Sequence, residues 1–260
     1  MSAPAWLTAR PVAHRGLHDA AAGIVENTLP AVEAAIDGGF AIEVDLQPAL
    51  GDVPVVFHDE TLDRLTVGTG PLAARDAGSL AKIAFRDTAA RIPTLDDLLD
   101  CVAGRVPLVI EVKTVWQPAG AFERVIADRL RAYDGPAAVM SFDPRSVEAF
   151  RHHAPWLTRG IVSESFAVAA DWPELDAATR RKLGWMLHLP RSRPQFVAYG
   201  IRDLPSFLPL ALRHLFGMPL LTWTVRTPEQ RARAARYADQ MIFEGFRPGE
   251  VAEEGAADRR

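Results

Sequence analysis

A single cysteine, Cys101, is all that the 260-residue chain contains, so no disulfide can form within it and thiolate ligation of a metal is disfavoured. Cys101 falls in the apolar pattern Leu98-Leu99-Asp100-Cys101-Val102, which reads as a buried, inert position. Long apolar runs are also missing. The opening MSAPAWLTARPVAHRG lacks a stretch long enough for a secretory signal. No segment approaches the roughly 18 apolar residues that cross a bilayer. Together these absences lead us to expect a chain with no transmembrane segment in a reducing, cytoplasmic compartment. Charge of one sign is scarce as well: 29 basic against 33 acidic residues leave a net charge of −4. The basic residues at 180–182 and 231–236 are interrupted and read as solvated helix faces, so nucleic acid is not an expected partner. Internal repeats and low-complexity linkers are lacking too.

What is present is a 48% hydrophobic chain, enough for one sizeable core. Short β-rich runs alternate with amphipathic stretches, the pattern of βα units and a parallel sheet. Strands are predicted at Pro11–His14, Ala41–Leu46, Leu108–Lys113, Ala138–Phe142, Gly160–Ser163, Phe196–Tyr199, Leu220–Val225 and Met241–Glu244. Eight is the closing number of a (β/α)8 TIM barrel, and about 250 residues commonly build one. A helix begins near Thr28, capped by Asn27 or Thr28, and ends at Gly38-Gly39. Another runs from a Thr94 cap to Ala103. Helices are also expected over 121–132, 145–153, 206–216 and 228–238. Trp185–Leu189 offers a competing strand in the weakly patterned region 165–195.

One strand breaks the rule. Val53–His58 follows strand two after only a few residues, and a parallel neighbour needs a crossover of a dozen or more. It should return antiparallel, through a turn near Gly51-Asp52, bringing His58 opposite Asp45 to within about two residues. Residues 59–93 then read as an excursion above the sheet. The expected organisation is one domain over 1–260 with a hairpin-containing insertion at about 48–93. The tail 250–260 is polar and expected to fray.

Barrel chemistry sits at the C-terminal ends of the strands. Those ends carry His14-Arg15-Gly16, Glu43-x-Asp45, Glu111-x-Lys113 and Trp223. Strand side chains alternate with period two, so Glu43 and Asp45 share a face, as do Glu111 and Lys113. Three carboxylates converging on one mouth repel and need a counter-charge. A hard divalent cation with oxygen ligands, Mg²⁺ or Ca²⁺, supplies it more naturally than zinc. The competing arrangement is an ion-pair network with Arg15 and Lys113 at the rim.

Five motifs in order, at compatible spacing, make the chain resemble the glycerophosphodiester phosphodiesterases, within the wider group of phosphatidylinositol-phospholipase-C-like barrels. They are His14-Arg15-Gly16, Glu26-Asn27-Thr28, Glu43-Val44-Asp45, His58-Asp59 and Glu111-Val112-Lys113. Ser141-Phe142 and Thr222–Val225 fit the family's later strands. The resemblance covers about 11–247. It implies that Glu43, Asp45 and Glu111 hold the metal and that His14 and His58 are the general acid and base. An imidazole titrates near neutrality, which suits that pair. It further implies that Arg15 and Lys113 bind the phosphate and that Trp223 packs on the glycerol carbons. The substrate implied is a small glycerophosphodiester, cleaved to glycerol 3-phosphate and an alcohol. A hydroxyl-derived cyclic phosphate and direct attack by water are both compatible with the sequence.

Two departures stand out. The hairpin turn reads Leu50-Gly51-Asp52, and the last strand ends Phe243-Glu244-Gly245-Phe246-Arg247-Pro248 where the family has an Ile-Thr-Asp-x-Pro type ending. Neither is expected to touch the catalytic groups. Glu26 reads as a helix-entry or supporting residue, and Asp59 as a partner of a histidine or the metal. His18, His152, His153, His188 and His214 read as structural or surface residues. Two other functions compete. A lysophospholipase D-like activity needs an apolar lip, which Leu62, Leu65, Leu72, Leu80, Ile83 and Phe85 could build. A barrel that binds phosphodiesters without turnover is the other. The oligomeric state is left open.

Overall fold

Eight short strands close into a parallel barrel, and a ninth pairs with it from outside. The computed structural model describes residues 3–249, apart from 87, 115, 117 and 118; the expected fraying of 250–260 lies outside them. In chain order the elements are β1 Val12–Ala13, α1 Leu29–Asp37, β2 Ala41–Ala49, β3 Val53–Val56, α2 Ala77–Leu80, α3 Leu95–Val102, β4 Leu108–Val112 and α4 Ala121–Arg131. There follow β5 Ala137–Ser141, α5 Pro144–His153, β6 Thr158–Ser163, α6 Ala177–Gly184, α7 Leu189–Ser192, β7 Phe196–Gly200, α8 Phe207–Phe216, β8 Leu220–Val225, α9 Pro228–Tyr237 and β9 Gln240–Phe243. β1 pairs with both β2 and β9, which closes the barrel.

Period-two alternation sorts every strand into two environments. Ile42, Val44 and Leu46 of β2 join the large apolar layer between sheet and helices, with Leu108, Ile110 and Val112 of β4. Ala41, Val109, Ala138, Phe196, Leu221 and Ile242 instead fill the barrel interior, and Leu7 of the N-terminal turn packs against them. Gly160 makes room for that filling, since a Cβ there would stand 2.3 Å from the Phe196 ring. The interior floor is therefore apolar, and the same alternation carries Glu43, Asp45 and Glu111 to the inward side higher up.

β3 returns antiparallel on β2, with Leu46 opposite Val56 and Ala49 opposite Val53. Asp45 consequently faces Phe57, whose amide donates to the Asp45 carbonyl at 3.0 Å, and His58 stands one residue further on. The reason is loop length: three residues, centred on Gly51, make the turn, with Gly51 and Asp52 both left-handed (φ 81° and 59°).

The 59–93 excursion carries its own small core. Phe57, Leu62, Leu72, Leu80, Phe85 and Ile92 are all buried, and Leu65 and Ile83 pack against them. These side chains point inward, so the apolar lip expected for a lipid substrate is not built here. The excursion ends at a reciprocal cap: the Thr94 hydroxyl accepts the Asp97 amide at 3.1 Å while Asp97 accepts the Thr94 amide at 2.8 Å.

Trp185–Leu189 forms no strand. Met186 and Leu187 donate back to Leu183 and Lys182, so the segment is a turn leading from α6 into α7. Its strand-like look came from Met186 being buried between exposed Trp185 and Leu187. Cys101 is half-buried rather than fully so, and its thiol donates to Glu33 at 3.3 Å. Burial and that carboxylate push the thiol up to about 11, which keeps it protonated and unreactive.

Candidate active site

The mouth is assembled from the strand ends. Just after β1, Arg15 and Gly16 adopt left-handed backbone (φ 56° and 78°), turning the chain sharply off the barrel rim. Gly16 is required twice over, because a Cβ there would lie 2.8 Å from the Ala31 backbone. The turn is tied to β2: Gly16 donates to the Glu43 carbonyl at 3.1 Å, and the Arg15 amide donates to Glu43 Oε2 at 2.9 Å.

Glu43, Asp45 and Glu111 are 1%, 1% and 7% exposed. One oxygen from each lies within 4.8 Å of the others. Lys113 Nζ reaches Asp45 at 3.0 Å and Glu111 at 2.5 Å, and Arg15 Nε stands 3.4 Å from Asp45. The ion-pair network weighed from sequence thus exists, but it stops at two of the three acids. Glu43 Oε1 is buried and has no hydrogen-bond partner among the described residues. Burial first, then Asp45 and Glu111, raise the Glu43 carboxyl well above its ordinary range. Burial would raise Asp45 too, but Lys113, His58, Arg15 and His14 outweigh it and hold that carboxyl well below. A cluster of three carboxylates in which one, Glu43, has an oxygen without a hydrogen-bond partner among the described residues fits a hard divalent cation.

Asn27 does not cap α1. Its amide donates to Asp45 Oδ2 at 2.8 Å and its side-chain carbonyl accepts the Asp45 amide at 3.2 Å. The Thr28 hydroxyl donates back to Val25 at 2.6 Å, so no side chain caps the helix. Asn27 is left-handed (φ 57°) and buried, which fixes the orientation of the Asp45 carboxylate.

Each histidine is backed by a carboxylate. His58 Nδ1 lies 2.7 Å from Asp59 Oδ1, and Arg64 grips both Asp59 oxygens at 2.6 and 3.0 Å. His14 Nδ1 lies 2.7 Å from Glu244 Oε2, which also accepts from Arg226 at 2.8 Å. Burial would raise Glu244, but the His14 bond and Arg226 bring it down to about 2. Burial opposes ionisation of Asp59 also, and His58 and Arg64 still hold it well below the usual range. With both acids ionised, each Nδ1 carries the hydrogen and each Nε2 is left to exchange protons. His14 Nε2 stands 4.0 Å from Glu43. Burial, more than any neighbour, lowers the His14 pKa, so it rests neutral at pH 7.

Glu244 was the residue missed from sequence, and the last-strand departure does touch a catalytic candidate. The signal was a charged residue at the C-terminal end of a strand, the same rule that singled out Glu43 and Glu111. His18 also comes close: its Nε2 is buried, has no hydrogen-bond partner among the described residues and stands 4.0 Å from Glu244. Glu26 supports Arg15 at 2.6 Å and Arg64 at 2.7 Å.

His14, Arg15, Glu43, His58, Glu111, Lys113 and Trp223 all line one cavity of about 370 Å³. Asp45 sits beneath it. Trp223 divides its surface: Nε1 donates to the Ala198 carbonyl at 3.0 Å and Phe142 meets the ring edge-to-face at 5.4 Å, while the rest faces the cavity. The arrangement offers fixed positive charge for an anion and two imidazoles with free Nε2 atoms.

Fold and site together define a (β/α)8-barrel protein with a carboxylate–imidazole centre at the C-terminal ends of its strands. The family model described as "Glycerophosphoryl diester phosphodiesterase family" matches residues 14–245. The chain belongs to that family. It is 30% identical over 167 residues to bovine glycerophosphodiester phosphodiesterase 1, covering 56% of this chain and 49% of that protein. It is also 30% identical over 163 residues to a glycerophosphodiester phosphodiesterase of Caldanaerobacter subterraneus, covering 58% and 65%. The aligned stretch thus spans about half to two thirds of these relatives. Among solved structures, an Oleispira antarctica phosphodiesterase in complex with the product sn-glycerol-3-phosphate superposes with a TM-score of 0.72 at 19% identity, covering 90% of this chain and 91% of that one. A glycerophosphodiester phosphodiesterase from Agrobacterium tumefaciens gives 0.65 at 22%, covering 90% and 94%. Both share the fold. Among the described residues no helix is long and apolar enough to cross a membrane.

Proposed function

We propose that this chain hydrolyses small glycerophosphodiesters to glycerol 3-phosphate and a free alcohol, as a phosphoric diester hydrolase feeding glycerol and lipid metabolism. The observation that carries the reading is that two carboxylate-backed imidazoles share one cavity with Glu43 and Glu111 of a buried three-acid cluster. Glu43, Asp45 and Glu111 would hold Mg²⁺ or Ca²⁺, which supplies charge neutralisation at the phosphoryl oxygens. Lys113 and Arg15 hold the phosphate by charge, Arg15 with its guanidinium fixed by Glu26. Trp223 packs against the glycerol carbons. One of His14 and His58, bare at Nε2, takes the proton from the attacking oxygen, and the other, entering turnover with both ring nitrogens protonated, gives its Nε2 proton to the departing alcohol oxygen. Glu244 and Asp59 keep both rings in the productive tautomer. The barrel and its 59–93 excursion act as one catalytic unit, since His58 leads directly into that excursion and follows Phe57 of its small core. A reducing, cytoplasmic setting suits a chain whose one cysteine, Cys101, is a free thiol.

The test is direct: glycerophosphocholine is incubated with the protein and Mg²⁺ or Ca²⁺, and glycerol 3-phosphate is measured enzymatically. Release of glycerol 3-phosphate that stops in EDTA and returns on re-addition of the ion is expected. Choline phosphate as the product, or full turnover in chelator, would overturn the assignment.

A further inference from the structure

Three of the large apolar side chains that stand out into solvent lie on the two margins of α6: Trp185 at 62% exposure, Leu187 at 66% and Phe207 at 81%. Contiguous exposure of this kind marks an interaction surface rather than a core. Trp185 and Phe207 wall a groove between α6 and α8, with Arg180 and Arg181. Leu187 walls a second groove between α5 and α6, with Lys182 and Arg191. Ser165 lines both the first groove and the catalytic cavity, so this face adjoins the mouth of the barrel.

The charge of the face runs against that of the chain. The whole chain carries −4. The two grooves are lined by five basic residues, Arg145 being the fifth, and one acid, Glu148. Arg145 is taken by Asp143 at 2.7 Å, and Glu148 by Arg151 at 3.5 Å. Asp176, at the start of α6, accepts the Thr179 amide at 2.6 Å and feels Lys182 only from beyond ion-pair distance. Among the described residues no carboxylate lies within ion-pair distance of Arg180, Arg181, Lys182 or Arg191. Cations without a close ion-pair partner, interleaved with exposed indole, phenyl and isobutyl groups, match the boundary of an anionic bilayer. There the rings sit at headgroup depth and the cations meet lipid phosphates.

We propose that the α6 face, from Phe207 and Trp185 across to Leu187, docks this protein on anionic lipid surfaces beside its catalytic mouth. The docking is peripheral and reversible, since three side chains and a few cations give a weak, salt-sensitive anchor. It does not depend on which phosphodiester the site cleaves.

Co-sedimentation tests it, using vesicles of phosphatidylcholine alone or mixed in equal parts with phosphatidylglycerol, at low and high ionic strength. The full chain should sediment with the mixed vesicles at low salt and stay in solution with phosphatidylcholine alone. Each basic residue near such a surface contributes about fivefold in partitioning, so Arg181→Gln/Lys182→Gln should weaken binding about 30-fold. Trp185→Ser/Phe207→Ser should abolish it. Both variants should keep the parent melting temperature and turnover of a soluble phosphodiester. Absence of the parent chain from the mixed-vesicle pellet overturns the proposal, as does binding that neither variant changes. A concentration-dependent dimer, lost in the Trp185→Ser/Phe207→Ser variant and unaccompanied by vesicle binding, would overturn it in favour of a second copy on this face.

Discussion

His14 Nδ1 and Glu244 Oε2 meet at 2.7 Å across 230 residues of sequence, joining the first strand end of the barrel to the last. Because Glu244 stays ionised down to about pH 2, it fixes the hydrogen on Nδ1 throughout the working range. Glu244→Gln keeps the shape and removes the charge, allowing the wrong tautomer. A fall in kcat of about 100-fold is expected, with KM and thermal midpoint little changed. An unaltered kcat would show that His14 needs no such partner.

The uncompensated Glu43 oxygen predicts that a divalent ion stabilises the fold as well as the reaction. At about 100 times its Kd, a ligand specific for the native state adds about 2.7 kcal/mol, which is on the order of 5–10 °C in Tm for a chain of this size. Differential scanning fluorimetry with and without Mg²⁺ or Ca²⁺ measures this. Glu43→Gln should remove most of the response, and an equal rise in that variant would refute the assignment of this ligand.

Phe85 stacks against Phe57 with centroids 6.2 Å apart, in the small core from which His58 projects. Phe85→Ala should cost about 3–5 kcal/mol if the excursion unfolds with the barrel. It should also loosen His58 and lower kcat under conditions where the barrel remains folded. Circular dichroism and steady-state kinetics on the same preparation separate the two effects.

His188 supplies a pH dependence away from the site. Burial lowers its pKa from 6.5 to about 4, with Asp143 opposing weakly. The unfolded chain therefore takes up a proton first, and stability falls as pH drops from 6.5 towards 4. At about pH 5 the loss amounts to roughly 2 kcal/mol, less whatever residual solvent contact relieves. Urea midpoints at about pH 7 and pH 5 should converge in His188→Gln. The same pH slope in both proteins would reject the mechanism.

Much of this architecture is legible in the chain because period-two alternation is a local property. Glu43 and Asp45 share a face, as do Glu111 and Lys113, whatever the rest of the protein does, and acids among β-branched neighbours signal a reason for being there. What stayed hidden depends on distance or on small counts. The hairpin register falls within the two residues the sequence allows, and only its last residue, set by a three-residue loop, needed the fold. Asn27 precedes a helix, where a cap and a ligand-orienting amide look alike in sequence, and only the fold reveals that Asp45 is its partner. Trp185–Leu187 copies strand alternation because a helical turn can also bury every second side chain. Glu244 pairs with a residue at the other end of the chain, and only barrel closure brings them together.

Arg64 fastens two things at once. Its guanidinium holds Asp59, which backs His58, and also Glu26, which braces Arg15. His58 and Arg15, two residues of the proposed site, are therefore moored to one surface side chain of the excursion. Anyone grafting a different loop at 59–93 to change selectivity would have to bring along a cation at that spot, or slacken both moorings together.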